Sequence, residues 1–389
     1  MVKPVFIIAE AGVNHNGSLA RALELVRVAA ASGADAVKFQ TFKAEALVSA
    51  SAPMADYQKA NTGEDGSQLA MLKALELSLS DFQEIANECE RCGIEFMSTP
   101  FDEESADALA SLGMQTWKIP SGEVTNLPLI QHIAAKPGRV ILSTGMCDLE
   151  EVRQAVEAVC NSSPYAVGGG GSRSETEGVS SSPREGEVAP RSGDGGGNLG
   201  LIPLLDFVGT FPCKQGGELV ILYCTSSYLA LFAILNLRVM KTLKDAFDVE
   251  VGLSDHSEGI EAAIAAVAMG ATCIEKHFTL DRTLPGPDHK ASLEPDELKI
   301  MVQSIRNVEL ALGDGVKQIT DVERNTRDVA RRSCVAAHNL DPDQILTRED
   351  IELRRPGTGI PPAELEKLIG KRVRRAMVQG TILTWGDVE

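Results

Sequence analysis

The chain has 389 residues, 43% of them hydrophobic and 24% charged, a balance that excludes wholesale disorder and fibrous or repeat-only classes. Lys and Arg number 37 against 55 Asp and Glu, a formal net charge of −18. Such a surface repels nucleic acid and anionic membranes, so an anionic substrate must be held by a local basic site.

No apolar run approaches the ~20 residues of a spanning helix. The N-terminus meets Glu10 after a few apolar residues, too soon for a signal peptide. The expectation is a cytoplasmic protein with no membrane and no nucleic-acid partner. The eight cysteines are then expected as thiols rather than a disulfide framework. Cys89 and Cys92 form a C-x-x-C within a helical pattern, without the second pair that a zinc site needs.

The predicted elements run in chain order: strand 5–9, helix 19–32, strand 36–39, helix 79–92, strand 95–98, helix 104–112, strand 116–119 and helix 127–134. They continue with strand 140–143, helix 149–160, strand 219–224, helix 237–247, strand 249–253, helix 260–268 and strand 272–278. Alternating short apolar runs and helix-period segments imply a parallel α/β fold, and eight strands favour a closed (β/α)8 TIM barrel. The rival open sheet would carry a Gly-rich phosphate loop after its first strand. Ala11-Gly-Val-Asn-His-Asn-Gly17 lacks that spacing.

Residues 161–200 hold 11 Gly, 8 Ser and 3 Pro, too little apolar surface to offset ordering entropy. They read as a disordered insertion, extending to about 218, on the barrel face opposite the active site. Residues 286–329 read as a loop, a helix over 295–312 and a linker. The tail 330–389 reads as a small β-rich module. It contains a near-repeat, Ile345-Leu-Thr-Arg-Glu-Asp-Ile-Glu352 against Ile382-Leu-Thr-Trp-Gly-Asp-Val-Glu389. The barrel is therefore assigned to 1–285.

Nearly every predicted strand ends in polar residues, and in a barrel those ends converge on one mouth. Glu10, Lys38, Thr99, Lys118, Ser121, Glu123, Ser143, Ser254 and Glu275 all stand at that level. Lys38 and Lys118 supply the required basic site, with Glu10 and Glu123 as candidate partners. His256 and His277 end adjacent strands, near enough for one divalent metal. Imidazole plus oxygen ligands favours Mn²⁺, with Mg²⁺, Zn²⁺ and Fe²⁺ left open. His15 either contacts substrate or bonds within its loop. His132, His289 and His338 read as structural or surface residues.

Taken together, these segments resemble the N-acetylneuraminate (sialic acid) synthase family. The resemblance is carried by Ile7-Ile-Ala-Glu-Ala-Gly-Val-Asn-His-Asn-Gly17, Val37-Lys-Phe-Gln-Thr41, Phe96-Met-Ser-Thr-Pro-Phe101, Lys118-Ile-Pro-Ser-Gly-Glu123 and Ile141-Leu-Ser-Thr-Gly-Met146. It continues through Cys224-Thr-Ser-Ser-Tyr228, Gly252-Leu-Ser-Asp-His-Ser257, Glu275-Lys-His-Phe278 and Pro285-Gly-Pro-Asp288. The tail, with Arg354-Arg-Pro-Gly-Thr-Gly359, resembles that family's antifreeze-like (SAF) domain.

The resemblance implies condensation of phosphoenolpyruvate with open-chain N-acetylmannosamine, with carbon–oxygen cleavage and phosphate release. It implies His256 and His277 as metal ligands and Glu123 as the group that orients or deprotonates water. Lys38, Lys118, Thr99, Ser121 and Ser254 would bind phosphoenolpyruvate. Glu10, Tyr228, Glu275 and Asp288 would contact the sugar or metal-bound water. Asn61 matches a phosphate-contacting Asn loosely. Arg355 would reach the partner subunit's site in a domain-swapped homodimer. Alternatives are a diacetamido acceptor (legionaminic or pseudaminic acid synthase), a 6-phosphate acceptor, and a catalytically weak scaffold. One departure is Tyr228-Leu-Ala-Leu-Phe-Ala-Ile-Leu235, apolar where the family has prolines and polar residues, which predicts a remodelled loop after strand six.

Overall fold

Strand periodicity of two sets the layers of the molecule. In a computed structural model that describes residues 3–54, 59, 67–164 and 218–389, eight parallel strands form one sheet. They are β1 (Phe6–Gly12), β2 (Ala36–Thr41), β3 (Glu95–Pro100), β4 (Thr116–Ile119), β5 (Arg139–Ser143), β6 (Leu219–Cys224), β7 (Glu250–Asp255) and β8 (Cys273–His277). Their order is β3-β2-β1-β8-β7-β6-β5-β4, a TIM barrel in which β1 pairs with both β2 and β8. All eight predicted strands are present. Ladders join every neighbouring pair except β3 and β4. Side chains stitch that seam: Glu95 accepts from Thr116 Oγ1, and the Ser98 N–H points at Met114 Sδ, 3.3 Å away.

Helices follow the apolar periodicity of their sequences. They are α1 (Leu19–Ala31), α2 (Ala44–Leu47), α3 (Gln68–Leu75), α4 (Leu79–Cys92), α5 (Glu103–Ser111), α6 (Leu127–Ala134), α7 (Leu149–Ser162), α8 (Val239–Phe247), α9 (Glu261–Ala268), α10 (Pro295–Leu312) and α11 (Asp321–Ala330). The capping side chains at Ser78 and Asp148 fix the starts of α4 and α7 by accepting from the backbone three residues on. Outward-facing strand residues such as Ile7, Val37, Trp117 and Ile221 pack against the helices in the main core. Inward-facing Ile8, Ala36, Met97, Ile141, Val220, Leu222 and Cys273 form a separate apolar plug inside the barrel.

The chain divides into two units, Met1–Leu312 and Gly313–Glu389. The second has its own core, including Cys334, Leu346, Ile351, Leu368, Val373 and Leu383, around the antiparallel pair β9 (Ser333–Ala336) and β10 (Ile351–Arg354). The near-repeat proves to be one turn built twice. Thr347 and Thr384 each donate to an aspartate three residues on, Asp350 and Asp387, at 2.7 Å.

Several expectations are adjusted. Residues 161 and 162 belong to α7, and α11 is a helix where a connector was expected. Residues 165–217 of the expected insertion lie outside the described residues, as does Asn61. Cys160 is disulfide-bonded, contrary to the all-thiol expectation, whereas Cys89, Cys92, Cys147, Cys224, Cys273 and Cys334 are free. Among the described residues, no helix is long and apolar enough to cross a membrane.

Candidate active site

Two residues beyond the apolar plug, each strand places a side chain into the barrel mouth, and there the composition changes completely. Ile8 gives way to Glu10, Ala36 to Lys38, Met97 to Thr99, Ile141 to Ser143, Leu222 to Cys224 and Cys273 to Glu275. β4 contributes Lys118 and β7 contributes Ser254. All eight are buried and all line one cavity of about 320 Å³. Buried charges of this kind are costly unless they are paired.

Here they are paired. Lys38 Nζ lies 2.7 Å from Glu10 and 3.6 Å from Glu275, and donates to Thr99 Oγ1 at 3.1 Å. Lys118 Nζ lies 3.3 Å from Glu275, which also accepts from Ser254 Oγ at 3.0 Å. Burial pushes the Glu10 carboxyl up to about 7, with Lys38 pulling the other way. At Glu275 burial is outweighed by Lys118 and Lys38, and the carboxyl falls to about 2. Burial disfavours charge on Lys38, but Glu10 and Glu275 hold its proton affinity above the ordinary value. Burial lowers that of Lys118.

The next level holds the histidines. His256 follows β7 and His277 ends β8, with ring centroids 5.4 Å apart. Tyr228 stacks on His256 at 4.2 Å and meets His277 edge-on at 5.5 Å. His256 Nδ1 donates to the Thr225 carbonyl at 2.9 Å; burial disfavours charge on this ring, but Cys224 beside it and that carbonyl raise its proton affinity above the ordinary value. His277 Nδ1 is buried without a hydrogen-bond partner among the described residues. Its nearest carboxylate, Asp288, is 3.9 Å away. Burial, then His256 and Lys38, keep His277 neutral well below the usual histidine range. Burial raises Asp288 to about 6.

Two adjacent imidazoles, one of them held neutral and with an orphaned nitrogen, fit a divalent metal. No group of three His, Cys, Asp or Glu side chains able to hold one occurs among the described residues. The donor set is thus two imidazoles, and the other positions would fall to water or substrate oxygens.

The cavity therefore gathers Glu10, Lys38, Thr99, Lys118, Ser121, Tyr228, Ser254, His256, Glu275, His277 and Asp288. It does not gather Glu123. That residue follows the lining residues Ser121 and Gly122, and its carboxylate accepts from Asn126 Nδ2 at 2.7 Å. Ser121 Oγ accepts from the Gly145 N–H at 2.8 Å. Ser143 Oγ is buried without a hydrogen-bond partner among the described residues. Arg355 is exposed in the C-terminal unit. His15 does not line the cavity and is buried in its loop, its Nδ1 accepting from the Gly17 N–H at 3.1 Å.

The loop after β6 carries exposed Leu231, Phe232 and Ile234. It is tied to the loop after β7 by the Ala230 N–H, which donates to the His256 carbonyl at 2.9 Å. Reading the sequence missed Met71, Leu72 and Leu75 of α3, which also line the cavity. Their signal was present: Ser67 caps α3, its Oγ accepting from the Ala70 N–H, ahead of apolar residues at helical spacing.

Residues 25–317 match the NeuB family and residues 331–389 match the SAF domain. The chain is 46% identical to the N,N′-diacetyllegionaminic acid synthase of Legionella pneumophila, over 99% of this chain and 94% of that protein. It is 30% identical to the N-acetylneuraminate-9-phosphate synthase of Homo sapiens, over 95% of this chain and 89% of that one. Among solved structures it is similar to an N-acetylneuraminic acid synthetase from Leptospira borgpetersenii. The TM-score is 0.62 at 29% identity, covering 83% of this chain and 90% of that one. The resemblance carried by the strand-end motifs is thus borne out, and the chain belongs to the NeuB family.

Proposed function

We propose that the protein condenses phosphoenolpyruvate with the open-chain aldehyde of a 2,4-diacetamido hexose, giving a nine-carbon 2-keto acid and phosphate. The observation that carries this reading is the buried Lys38–Lys118 pair, held among Glu10, Glu275, Thr99 and Ser254 in a protein of net charge −18. A cation pair sunk in an acidic protein is a site built for a small polyanion. The acceptor follows the family relative at 46% identity, named for a diacetyl product. This favours the diacetamido alternative over N-acetylmannosamine.

In this reading Lys38, Lys118, Thr99, Ser121, Ser143 and Ser254 hold the phosphate and carboxylate of phosphoenolpyruvate. An anion competes with Glu10 for Lys38, and Glu10, poised at about 7, relieves the added negative charge by taking up a proton. A divalent metal, Mn²⁺ by its donor set, would be held by His256 and His277 and would polarise the sugar aldehyde. C3 of phosphoenolpyruvate forms the new bond to the aldehyde carbon. The carbonyl electron pair moves to the aldehyde oxygen, which takes a proton. Glu10, raised to about 7, holds a proton there in part near neutral pH, and Asp288, raised to about 6, holds one on the acid side of it.

Water then adds to C2 and loses its proton to the carboxylates that line the cavity, since Glu123 lies outside that lining with its own carboxylate on Asn126. The C2–O bond breaks, phosphate leaves with the electron pair, and the C2 hydroxyl becomes the ketone as it loses its proton. Tyr228 and Glu275 flank the sugar. Arg355 would reach the acceptor's N-acetyl group from a second copy, in a domain-swapped homodimer.

The test is phosphate release from phosphoenolpyruvate with Mn²⁺ and an EDTA control. The acceptors are N-acetylmannosamine, its 6-phosphate and a 2,4-diacetamido hexose. Release fastest with the last and abolished by EDTA is expected. No release with any acceptor from folded protein would leave the scaffold alternative standing.

A further inference from the structure

The cavity lining contains two unlike groups of residues. One is the layer of charges, imidazoles and hydroxyls described above. The other is formed by Val13 after β1, Phe101 after β3, and Met71, Leu72 and Leu75 of α3. Val13, Leu72 and Leu75 are buried in a small core of their own with Phe42 and Ala44, against which Met71 and Phe101 pack. Phe42 meets Phe101 edge-on at 6.1 Å. These five side chains offer no hydrogen-bond donor and, apart from the weak Met71 thioether, no acceptor. A hydroxyl placed against them loses its water and gains nothing in return, whereas a methyl group gains contact. Among the described residues the lining cations are Lys38 and Lys118, and neither belongs to this apolar cluster.

We infer that Val13, Met71, Leu72, Leu75 and Phe101 form the acceptor-selecting wall of the site. This wall takes the methyl of a second acetamido group and discriminates against a sugar that presents a hydroxyl or a phosphate there. The inference rests on the proposed condensation and adds to it the residues that choose the acceptor. A hydrophobic pocket discriminates by roughly 10- to 100-fold for a change of this size.

The experiment measures kcat/KM of the full-length protein, with phosphoenolpyruvate and Mn²⁺, for a 2,4-diacetamido hexose and for N-acetylmannosamine. The ratio is read rather than either rate, so a general loss of folded enzyme cancels. Wild type should prefer the diacetamido acceptor by about 10- to 100-fold. Met71→Gln, at a half-buried position that tolerates a polar group, should lower that ratio about tenfold, and Leu72→Ala should lower it in the same direction. A ratio unchanged in both variants, or a wild type preferring N-acetylmannosamine, overturns the wall while leaving the condensation intact. Absence of phosphate release with either acceptor instead overturns the condensation, and the wall with it.

Discussion

At the residue scale, burial sets proton affinity in the loops that frame the mouth. His15 and His289 are almost wholly buried, and burial lowers both to about 4. His289 bridges two loops, with Nδ1 2.7 Å from Thr279 Oγ1 and Nε2 3.2 Å from Asn16 Oδ1. An unfolded chain protonates these rings near 6.5, whereas the folded one resists until about 4. Between those values the unfolded state binds more protons, so acid favours unfolding. Stability should fall as pH drops from 6.5 to 4, by up to about 1 kcal/mol per pH unit for each ring. Urea titrations at several pH values should show the fall, and a shallower one in His15→Asn. An equal slope in the variant would refute the assignment. Both rings were read from the sequence without knowledge of their burial. A loop histidine's neighbours come from other turns of the chain, as Asn16 after β1 and Thr279 after β8 do for His289, and no local pattern announces them.

At the element scale, alternation along β8 turns Lys276 away from Glu275 and His277. Its ammonium is fully buried between barrel and helices, 2.8 Å from Asp255 and 2.6 Å from the Ser257 carbonyl. Asp255 in turn accepts from the Ser257 N–H and Oγ at 2.9 and 2.7 Å. The pair staples the ends of β7 and β8, the two strands that present His256 and His277. Removing one member leaves an unpaired buried charge, which costs roughly 3–5 kcal/mol, whereas replacing both by apolar groups costs far less. Lys276→Met should therefore lower unfolding free energy by about that amount. Lys276→Met with Asp255→Leu should recover most of it, less about 1–3 kcal/mol for the Ser257 groups left unsatisfied. Denaturant titrations of the four members of this cycle decide it; additive losses would refute the staple.

The same parity explains what the sequence disclosed. Glu275 and His277, two apart on β8, share a face because strand side chains alternate, and both line the cavity. The strands were legible because buried parallel strands are short apolar runs. α3 was not, since its eight residues follow a long polar connection and its apolar face closes the cavity rather than the main core. Glu123 was legible as a residue type but not as a placement, because a bond to Asn126 three residues on depends on the turn's geometry.

At the scale of the whole molecule, two cores imply two cooperative units. The C-terminal one, Gly313–Glu389, packs Leu340, Leu346, Leu368, Val373 and Leu383 at 1% exposure or less, and its Thr–Asp turns satisfy their own backbone donors. Chains of about this length fold alone when they have such a core. Residues 313–389 produced by themselves should show a sigmoidal thermal transition by circular dichroism. A featureless melt would mean that this unit draws its stability from the rest of the chain. The barrel's sequence was readable almost strand by strand. The tail was readable only as a β-rich module, because its order comes from isolated bridges such as Leu340 with Met377 and Val373 with Val388, which leave no periodic trace.

The seam between β3 and β4 has a mechanical meaning. A ring of strands laced everywhere except at one place behaves as a clamp whose jaws are the two unlaced edges. Thr99 stands on one jaw and Lys118 on the other, and Lys38 reaches Thr99 from the neighbouring strand. The gap between the two cations therefore spans the line of the barrel wall where no backbone ladder, but only side-chain contacts, join the strands. An anion that touches both would act as the missing rivet, stiffening the cylinder at the moment it is captured.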